Sequence, residues 1–512
     1  IEITKGPGSA VYGTDAMGGV INIITEDPSE FPSLGLSYRA SSFGGTPSEI
    51  YNEPINSTIN GSIAMPLKNI TLSNDITYQH FTKGQQFEYI SADQIDKLNL
   101  NTDLGWTYLN HRLHLDHQYF GQQDEGTTRL SSGTVLYTNE TTIDRGQLTL
   151  THIWEINETS SVHQTIRKAS YNREYEIKNN DGQIEQNNIT KENNTEYELL
   201  FNHQIKSIVI NGGLEFSNPL YKSDRINGGK QEKDVAGVFN QVAWSLLPGL
   251  DIVSGLRLDK YGDTTVVSPR LAIAYKYNDR WIFRTAYGHG FRAPSFMESL
   301  IDWEHIQFGY TVKGNPNLKP EVSSGLTLGA EYRNKDNFQA STLIYHNSFS
   351  NLIKDYALES GVLSYRNIER AYFTGIEIIT KWTITSSLAS SFTINYVKNE
   401  DGDGEKIPNT MPISIGGRIS YAPWNQRTLF ALNLKGVGEY FPQEFDPISG
   451  NYLSSSDPVK SYLMGDLQVI YNISPKYKII VGSKNIGNHT NMSYGPYIGR
   501  TAYMEINTNI ER

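Results

Sequence analysis

The strongest constraint on this chain is an alternation of apolar and polar residues that returns almost from end to end. Leu34, Leu36, Tyr38 and Ala40 alternate with Gly35, Ser37, Arg39 and Ser41. Leu326, Leu328, Ala330 and Tyr332 alternate with Thr327, Gly329, Glu331 and Arg333, and near the end Ala502, Met504 and Ile506 alternate with Tyr503, Glu505 and Asn507. Trp281 and Phe283 against Ile282 and Arg284 make a looser case. A period of two gives each segment one apolar and one polar face, the signature of a strand. Roughly 20 to 24 such segments recur, many about 9–14 residues long, enough to cross a bilayer at a tilt. No apolar run approaches the ~18 residues of a membrane-spanning helix. With 32 Tyr, 19 Phe and 7 Trp, the composition suits pleated, half-buried strands. The fold class expected is all-β, with a membrane-spanning antiparallel barrel allowed because each strand is only half apolar.

The connections are of two kinds. Pro66-Leu67-Lys68-Asn69, Tyr277-Asn278-Asp279-Arg280, Asn334-Lys335-Asp336-Asn337 and Ser474-Pro475-Lys476 are tight. Residues 121–142, 178–194, 222–233, 291–320, 399–411 and 440–460 read as long polar loops. Short turns at one end and long loops at the other describe an outer-membrane barrel. A β-propeller would show a repeat of ~40–50 residues, and none is visible. A multi-domain sandwich needs linkers, and the only break is near Glu26-Asp27-Pro28. Absence of Cys excludes disulfide scaffolds, thiolate metal sites and a Cys nucleophile. A formal charge of −11 argues against nucleic acid as a partner. Neither His-Glu-x-x-His nor Gly-x-Ser-x-Gly is present, so the chain does not read as an enzyme.

The first residues differ from the rest. Lys5-Gly6-Pro7-Gly8-Ser9-Ala10-Val11-Tyr12-Gly13 leads to Gly18-Gly19-Val20-Ile21-Asn22-Ile23-Ile24-Thr25. The glycines permit tight turns and close backbone approach. A phosphate-binding loop is excluded, because no Gly-Lys-Ser/Thr and no dinucleotide glycine spacing follows. The opening reads like the middle of a domain, so a longer parent protein is expected.

Residues 1–25 resemble the end of the plug domain of TonB-dependent outer-membrane receptors, through Lys5, Gly6, Pro7, Tyr12, Gly13, Gly18, Gly19 and Asn22. The resemblance continues in Gly290-Phe291-Arg292-Ala293-Pro294 and in Gly314-Asn315-Pro316-Asn317-Leu318-Lys319-Pro320-Glu321. It extends through Asn367 to Glu377, Lys484-Asn485-Ile486-Gly487-Asn488 and Gly499-Arg500-Thr501-Ala502-Tyr503. It implies a plug end at residues 1–28 and a barrel of about 22 strands at residues 29–512. It also implies a Gram-negative outer membrane with its lipid around the barrel, and a monomer. Energy would come from TonB and its inner-membrane complex, acting through residues upstream of this chain. The function implied is import of a scarce, bulky small molecule, with no cofactor required: first a ferric siderophore or other iron chelate, with heme or cobalamin as alternatives. A non-transporting barrel, adhesin or passive porin, is the alternative of a different class.

Two departures from the family stand out. Lys5 replaces the usual Arg and cannot offer a fork to a barrel carboxylate. The chain ends Ile510-Glu511-Arg512, where an aromatic residue is common. Among ligand candidates, His305 lies between the two boxes, where heme receptors of the family carry an iron-ligating His, with Trp303, Phe308 and Tyr310 as flat neighbours. An ordinary loop histidine is the plainer reading. Asn399 to Glu405 is acidic and Gly-rich, yet lacks the late bidentate Glu of a calcium loop. Arg39, Lys276, Arg284, Glu331 and Arg333 fall on polar strand faces and read as the water-facing half of the barrel.

Overall fold

The structure is a computed structural model that describes residues 2–24, 31–44, 55–82, 93–129, 133–305, 309–335, 337–423, 427–446 and 451–511. The Glu26-Asp27-Pro28 break, Phe308, Asp336 and Arg512 lie outside these residues.

Twenty-two antiparallel strands close into one barrel. In chain order they are β1 (Ser33–Phe43), β2 (Asn56–Leu67), β3 (Ile70–Thr82), β4 (Gln94–Tyr108), β5 (His111–Arg129), β6 (Val135–Asn157), β7 (Ser160–Asn179) and β8 (Ile184–Ile205). Then come β9 (Ile208–Ser223), β10 (Val235–Leu247), β11 (Leu250–Tyr261), β12 (Thr264–Lys276), β13 (Trp281–Arg292), β14 (Glu321–Asn334) and β15 (Phe338–Glu359). The last are β16 (Val362–Thr385), β17 (Leu388–Asp401), β18 (Ile413–Tyr421), β19 (Thr428–Val437), β20 (Tyr462–Ser474), β21 (Tyr477–Lys484) and β22 (Thr501–Glu511). Each pairs with its neighbours in sequence, and β22 closes on β1, from Thr501 opposite Phe43 to Glu511 opposite Ser33. Arg39 and Glu505 form an ion pair across that seam. Closure satisfies every strand edge, which the hydrocarbon demands because it offers no other hydrogen-bond partner.

The alternating faces sort as the period requires. Leu36, Leu328 and Ile506 are each about half exposed on the outer wall, at 50%, 50% and 49%. Arg39, Arg284 and Glu331 point inward, and Glu331 binds both Arg284 and Arg333. At the end with tight turns, such as Lys68-Asn69, Leu109-Asn110 and Lys206-Ser207, an outer aromatic girdle gathers Trp106, Tyr108, Trp154, Trp281, Tyr332 and Trp382. Such rings mark a membrane interface.

Two expected loops are mostly strand. Residues 121–142 and 178–194 continue β5 to Arg129, resume β6 at Val135, carry β7 to Asn179 and restart β8 at Ile184. A tilted crossing uses only ~9–11 residues, whereas β6 has 23 and β8 has 22. Above the membrane both faces are wet, so apolar alternation stops while the backbone ladder goes on. The polar sequence there has the composition of a loop for that reason.

The N-terminal segment lies inside the barrel. Glu2–Lys5 pairs with Gly19–Asn22, Ile3 opposite Ile21, and the short helix α1 (Ser9–Tyr12) sits between them. The segment packs on the inner faces of β10 to β14.

This register predicts a sharp asymmetry between neighbouring positions. Leu271 is 47% exposed on the outer wall, while Ala272 lines a 360 Å³ space beneath Ile3 and Lys5. Leu271→Arg should cost about 2–4 kcal/mol, and Ala272→Arg about 1 kcal/mol or less, in denaturant unfolding from lipid bilayers. Equal losses would contradict the register.

Candidate functional site

The lumen is organised by one buried arginine. Leu256 and Leu258 face outward, so period two turns Arg257 and Asp259 inward, where each is 2% exposed. Arg257 Nε donates to both Asp259 oxygens at 2.8 and 3.0 Å, and Nη2 donates to Glu215 at 2.7 Å. Nη1 donates to the Val11 carbonyl of the N-terminal segment at 3.5 Å. Gly13 has φ +72°, and a Cβ there would lie 2.9 Å from the guanidinium, so only glycine fits. A buried guanidinium with two carboxylates is compensated as a unit, and removing one member strands the others.

The remaining contacts of the segment fall on the motif residues. Lys5 forms an ion pair with Glu377 of β16, so a single ammonium makes the contact for which a fork was not available. Gly6 N–H donates to Gly18 O at 3.2 Å, and the Pro7 carbonyl lies 3.1 Å from where a Cβ on Gly288 would stand. Phe291 N–H donates to Ser9 Oγ at 3.2 Å, and Ser323 Oγ donates to Met17 O at 3.1 Å. Gly19 pairs with Lys5, Asn22 donates across the ribbon to Glu2, and Tyr12 is 46% exposed.

The paired boxes build the loop between β13 and β14. Helix α2 (Phe296–Leu300) opens on a capping box: Glu298 N–H donates to Ser295 Oγ at 3.1 Å, and Ser295 N–H donates to Glu298 at 2.8 Å. Arg292 grips Glu298 with two bonds of 3.0 and 2.9 Å and binds Glu321 through Nε. Glu321 also accepts from Ile353 N–H at 2.6 Å. Asn315 N–H donates to Glu298 O, and its side chain donates to Tyr365 O, both at 2.9 Å. Asn367 exchanges bonds of 2.9 and 3.0 Å with the Lys319 backbone. Pro294 accepts from Tyr261 OH at 3.5 Å, and Pro316 is exposed in the turn. Burial alone would raise the Glu298 carboxyl, but Arg292 and the Ser295 N–H and hydroxyl outweigh it and hold the group below its ordinary range.

His305, Trp303 and Tyr310 meet in one hairpin, Asp302–His305 against Tyr310–Lys313. The imidazole centroid lies 4.8 Å from Trp303 and 5.2 Å from Tyr310. Arg225 stacks on Trp303 at 3.8 Å, and Trp303 Nε1 donates to Asn188 at 2.9 Å. Burial, reinforced by Arg225, holds His305 below the ordinary histidine value, so the ring is neutral at pH 7.

Below this hairpin the inner wall of β4 to β9 holds a cavity of about 740 Å³, facing Phe296 of α2. Strand register brings Asn99, Phe120, Arg145, Tyr171, Glu192 and Tyr221 side by side in its lining. Rings, one guanidinium and one carboxylate suit a partly aromatic, charged ligand. None of these residues was singled out from sequence, and neither was Arg257. For Arg257 a signal existed: Leu256-Arg257-Leu258-Asp259 places two opposite charges on one inward face. The acidic run at 399–405 ends β17 at Asp401 and then turns, with Asp401 accepting from the Asp403 and Glu405 N–H groups at 3.0 Å each.

Residues 31–486 match the family model described as TonB dependent receptor-like, beta-barrel. The chain is 23% identical to the iron-regulated outer membrane virulence protein of Vibrio cholerae serotype O1, over 93% of this chain and 73% of that protein. A variant of the ferric enterobactin receptor of Pseudomonas aeruginosa, solved with enterobactin, superposes with a TM-score of 0.82 at 16% identity, covering 99% of this chain and 85% of that one. The siderophore receptor PirA of the same species superposes at 0.78 with 17% identity, covering 99% and 86%.

Three outcomes test these contacts. Arg257→Met should cost about 3–5 kcal/mol in unfolding, because it leaves Asp259 and Glu215 unpaired. Lys5→Ala should cost about 1 kcal/mol or less, because the Lys5 side chain is 38% exposed. The lowered Glu298 carboxyl contributes stability above its ordinary value of 4.5 that is lost as pH falls through and below it. Amide exchange in residues 293–320 should accelerate over that acid range, and Glu298→Gln should flatten the dependence.

Proposed function

The chain belongs to the TonB-dependent receptors, whose β-barrel model covers most of it, and from that premise we propose that it captures a ferric siderophore at the cell surface and admits it across a Gram-negative outer membrane. The family is one of receptors and transporters. The observation that carries the cargo assignment is the cavity lined by Phe120, Arg145, Tyr171 and Tyr221. Above it Arg173 lies 4.9 Å from the Tyr175 ring centre and Arg225 lies 3.8 Å from that of Trp303. Cations beside rings attract an anionic, flat chelate from both its charge and its face.

In this reading residues 1–28 are the end of a plug and residues 29–512 are the barrel. Docking of the segment on Arg257, Glu377 and Phe291 supports it. The exposed faces of Ile3 and Ile21 are then covered by plug residues upstream. TonB engages that upstream part and draws on the inner-membrane complex for energy. A pull on the segment must break the Lys5 and Arg257 contacts, which couples plug movement to the wall. The chelate is cargo and no cofactor takes part. One chain closes its own seam, which supports a monomeric barrel.

A second reading rests on His305, whose neutral imidazole sits between Trp303 and Tyr310. Such a ring can ligate heme iron. Heme added to the purified protein should then give a Soret shift that His305→Ala weakens strongly, and an unchanged shift in the variant would remove His305.

For the principal reading, an iron-starved deletion strain complemented with the full-length gene should grow on a ferric siderophore only when TonB is present. Growth on heme or cobalamin instead would reassign the cargo. Large, permanent conductance of the full-length protein in planar bilayers would point to a porin. Arg145→Ala and Tyr171→Ala should each weaken ferric-siderophore binding about tenfold, read by fluorescence quenching.

A further inference from the structure

The outer wall of β15 to β17 changes character abruptly. Ile344, Ile376 and Tyr396 face outward on neighbouring strands, paired through Ile344 opposite Ile376 and Ile376 opposite Tyr396. Ile344 and Tyr396 are 49% and 47% exposed, as lipid-facing residues of a barrel are. Two residues further from the tight-turn end, the outward positions become His346, Thr374 and Lys398, again in register. Beyond them come Ser348, Tyr372 and Glu400, then Ser350 and Arg370, then the apolar pair Leu352 and Ile368, and finally Lys354 and Arg366. On these outward positions four basic side chains stand with one carboxylate, Glu400.

A cavity of about 280 Å³ opens at this boundary, lined by His346, Tyr372, Thr374, Lys398 and Glu400. His346 Nδ1 lies 2.8 Å from Thr374 Oγ1, and the His346 and Tyr372 rings stack with centroids 6.2 Å apart. Lys398 Nζ lies 2.8 Å from Glu400, so the carboxylate steadies the ammonium beside the cavity. The cavity is outside the barrel, separated by the wall from the lumen and from any imported chelate.

Position names the ligand class. A site that begins where lipid-facing side chains end is level with headgroups of the outer leaflet. Hydroxyls, an imidazole and clustered Lys and Arg outnumber the one carboxylate, Glu400, that partners Lys398 here, and such donors suit phosphate oxygens. We infer that His346, Thr374, Tyr372, Arg370 and Lys398 form a binding site for the phosphorylated headgroup of an outer-leaflet glycolipid. The acyl chains of that lipid would lie along Ile344, Ile376 and Tyr396, and the phosphate would take hydrogen bonds from the cavity rim. Bound lipid would thus fix the height and tilt of this side of the barrel.

The full-length protein in detergent tests this by native mass spectrometry, with purified bis-phosphorylated lipid A as probe. Retention should fall about thirtyfold for Arg370→Ala/Lys398→Ala, from about 1 kcal/mol for each of the two basic residues at a charged membrane surface. Lys168→Ala, outward-facing on β7 and away from the patch, should leave it unchanged. Lys398→Arg should restore most of the retention when paired with native Arg370. Dephosphorylated lipid A should bind the native protein as weakly as the double variant does. Equal retention of phosphorylated and dephosphorylated lipid, or of native protein and double variant, would overturn the site. Full competition by millimolar inorganic phosphate would also overturn the lipid assignment, since a headgroup anchored by its chains should resist a free anion. Siderophore-dependent growth of the double variant reports folding independently.

Discussion

Every feature of this molecule depends on a restriction set by the solvent around it. In hydrocarbon a backbone N–H or C=O has no partner but another backbone group, and each one left open costs several kcal/mol. A sheet of half-apolar strands can meet that demand only by closing. Pairing of β22 with β1 is therefore a condition for the other twenty strands to stay in the membrane. Once closed, the outer faces of the strands must be apolar, and polar side chains can only point inward or rise above the lipid.

That sorting creates a polar lumen, and the lumen holds the N-terminal segment. Inward charges need compensation where water is thin. Arg257 finds it in Asp259, Glu215 and the Val11 carbonyl, so one side chain joins two wall strands, β9 and β11, to the segment. Lys5 and Glu377 add a second tie nearer the ribbon. The two differ in kind. The first centres on a guanidinium and a carboxylate that are each 2% exposed; the second is partly exposed and worth less.

The motifs most legible in the sequence turn out to be architectural. Arg292, Asn315, Glu321 and Asn367 hold α2 and its loop in place over the lumen, and Gly13 and Gly290 let the segment approach the wall. Legibility followed locality. A capping box at Ser295 and Glu298, or an opposite-charge pair at Arg257 and Asp259, is spelled within four residues. Ligand-facing groups are not. Phe120, Arg145, Tyr171, Glu192 and Tyr221 belong to five strands and become neighbours only through their pairing register.

By itself the sequence determined the strand class, the approximate strand number, the direction each side chain faces within the membrane and the family. All of these rest on a period of two and on short motifs, which are properties of neighbouring residues. Tertiary structure alone decided how far the strands rise above the lipid, since polar strands and polar loops share a composition. It also decided which inward residues meet across the lumen and where the outer wall turns basic, because strand register and barrel closure set distances between residues that are tens to hundreds of positions apart.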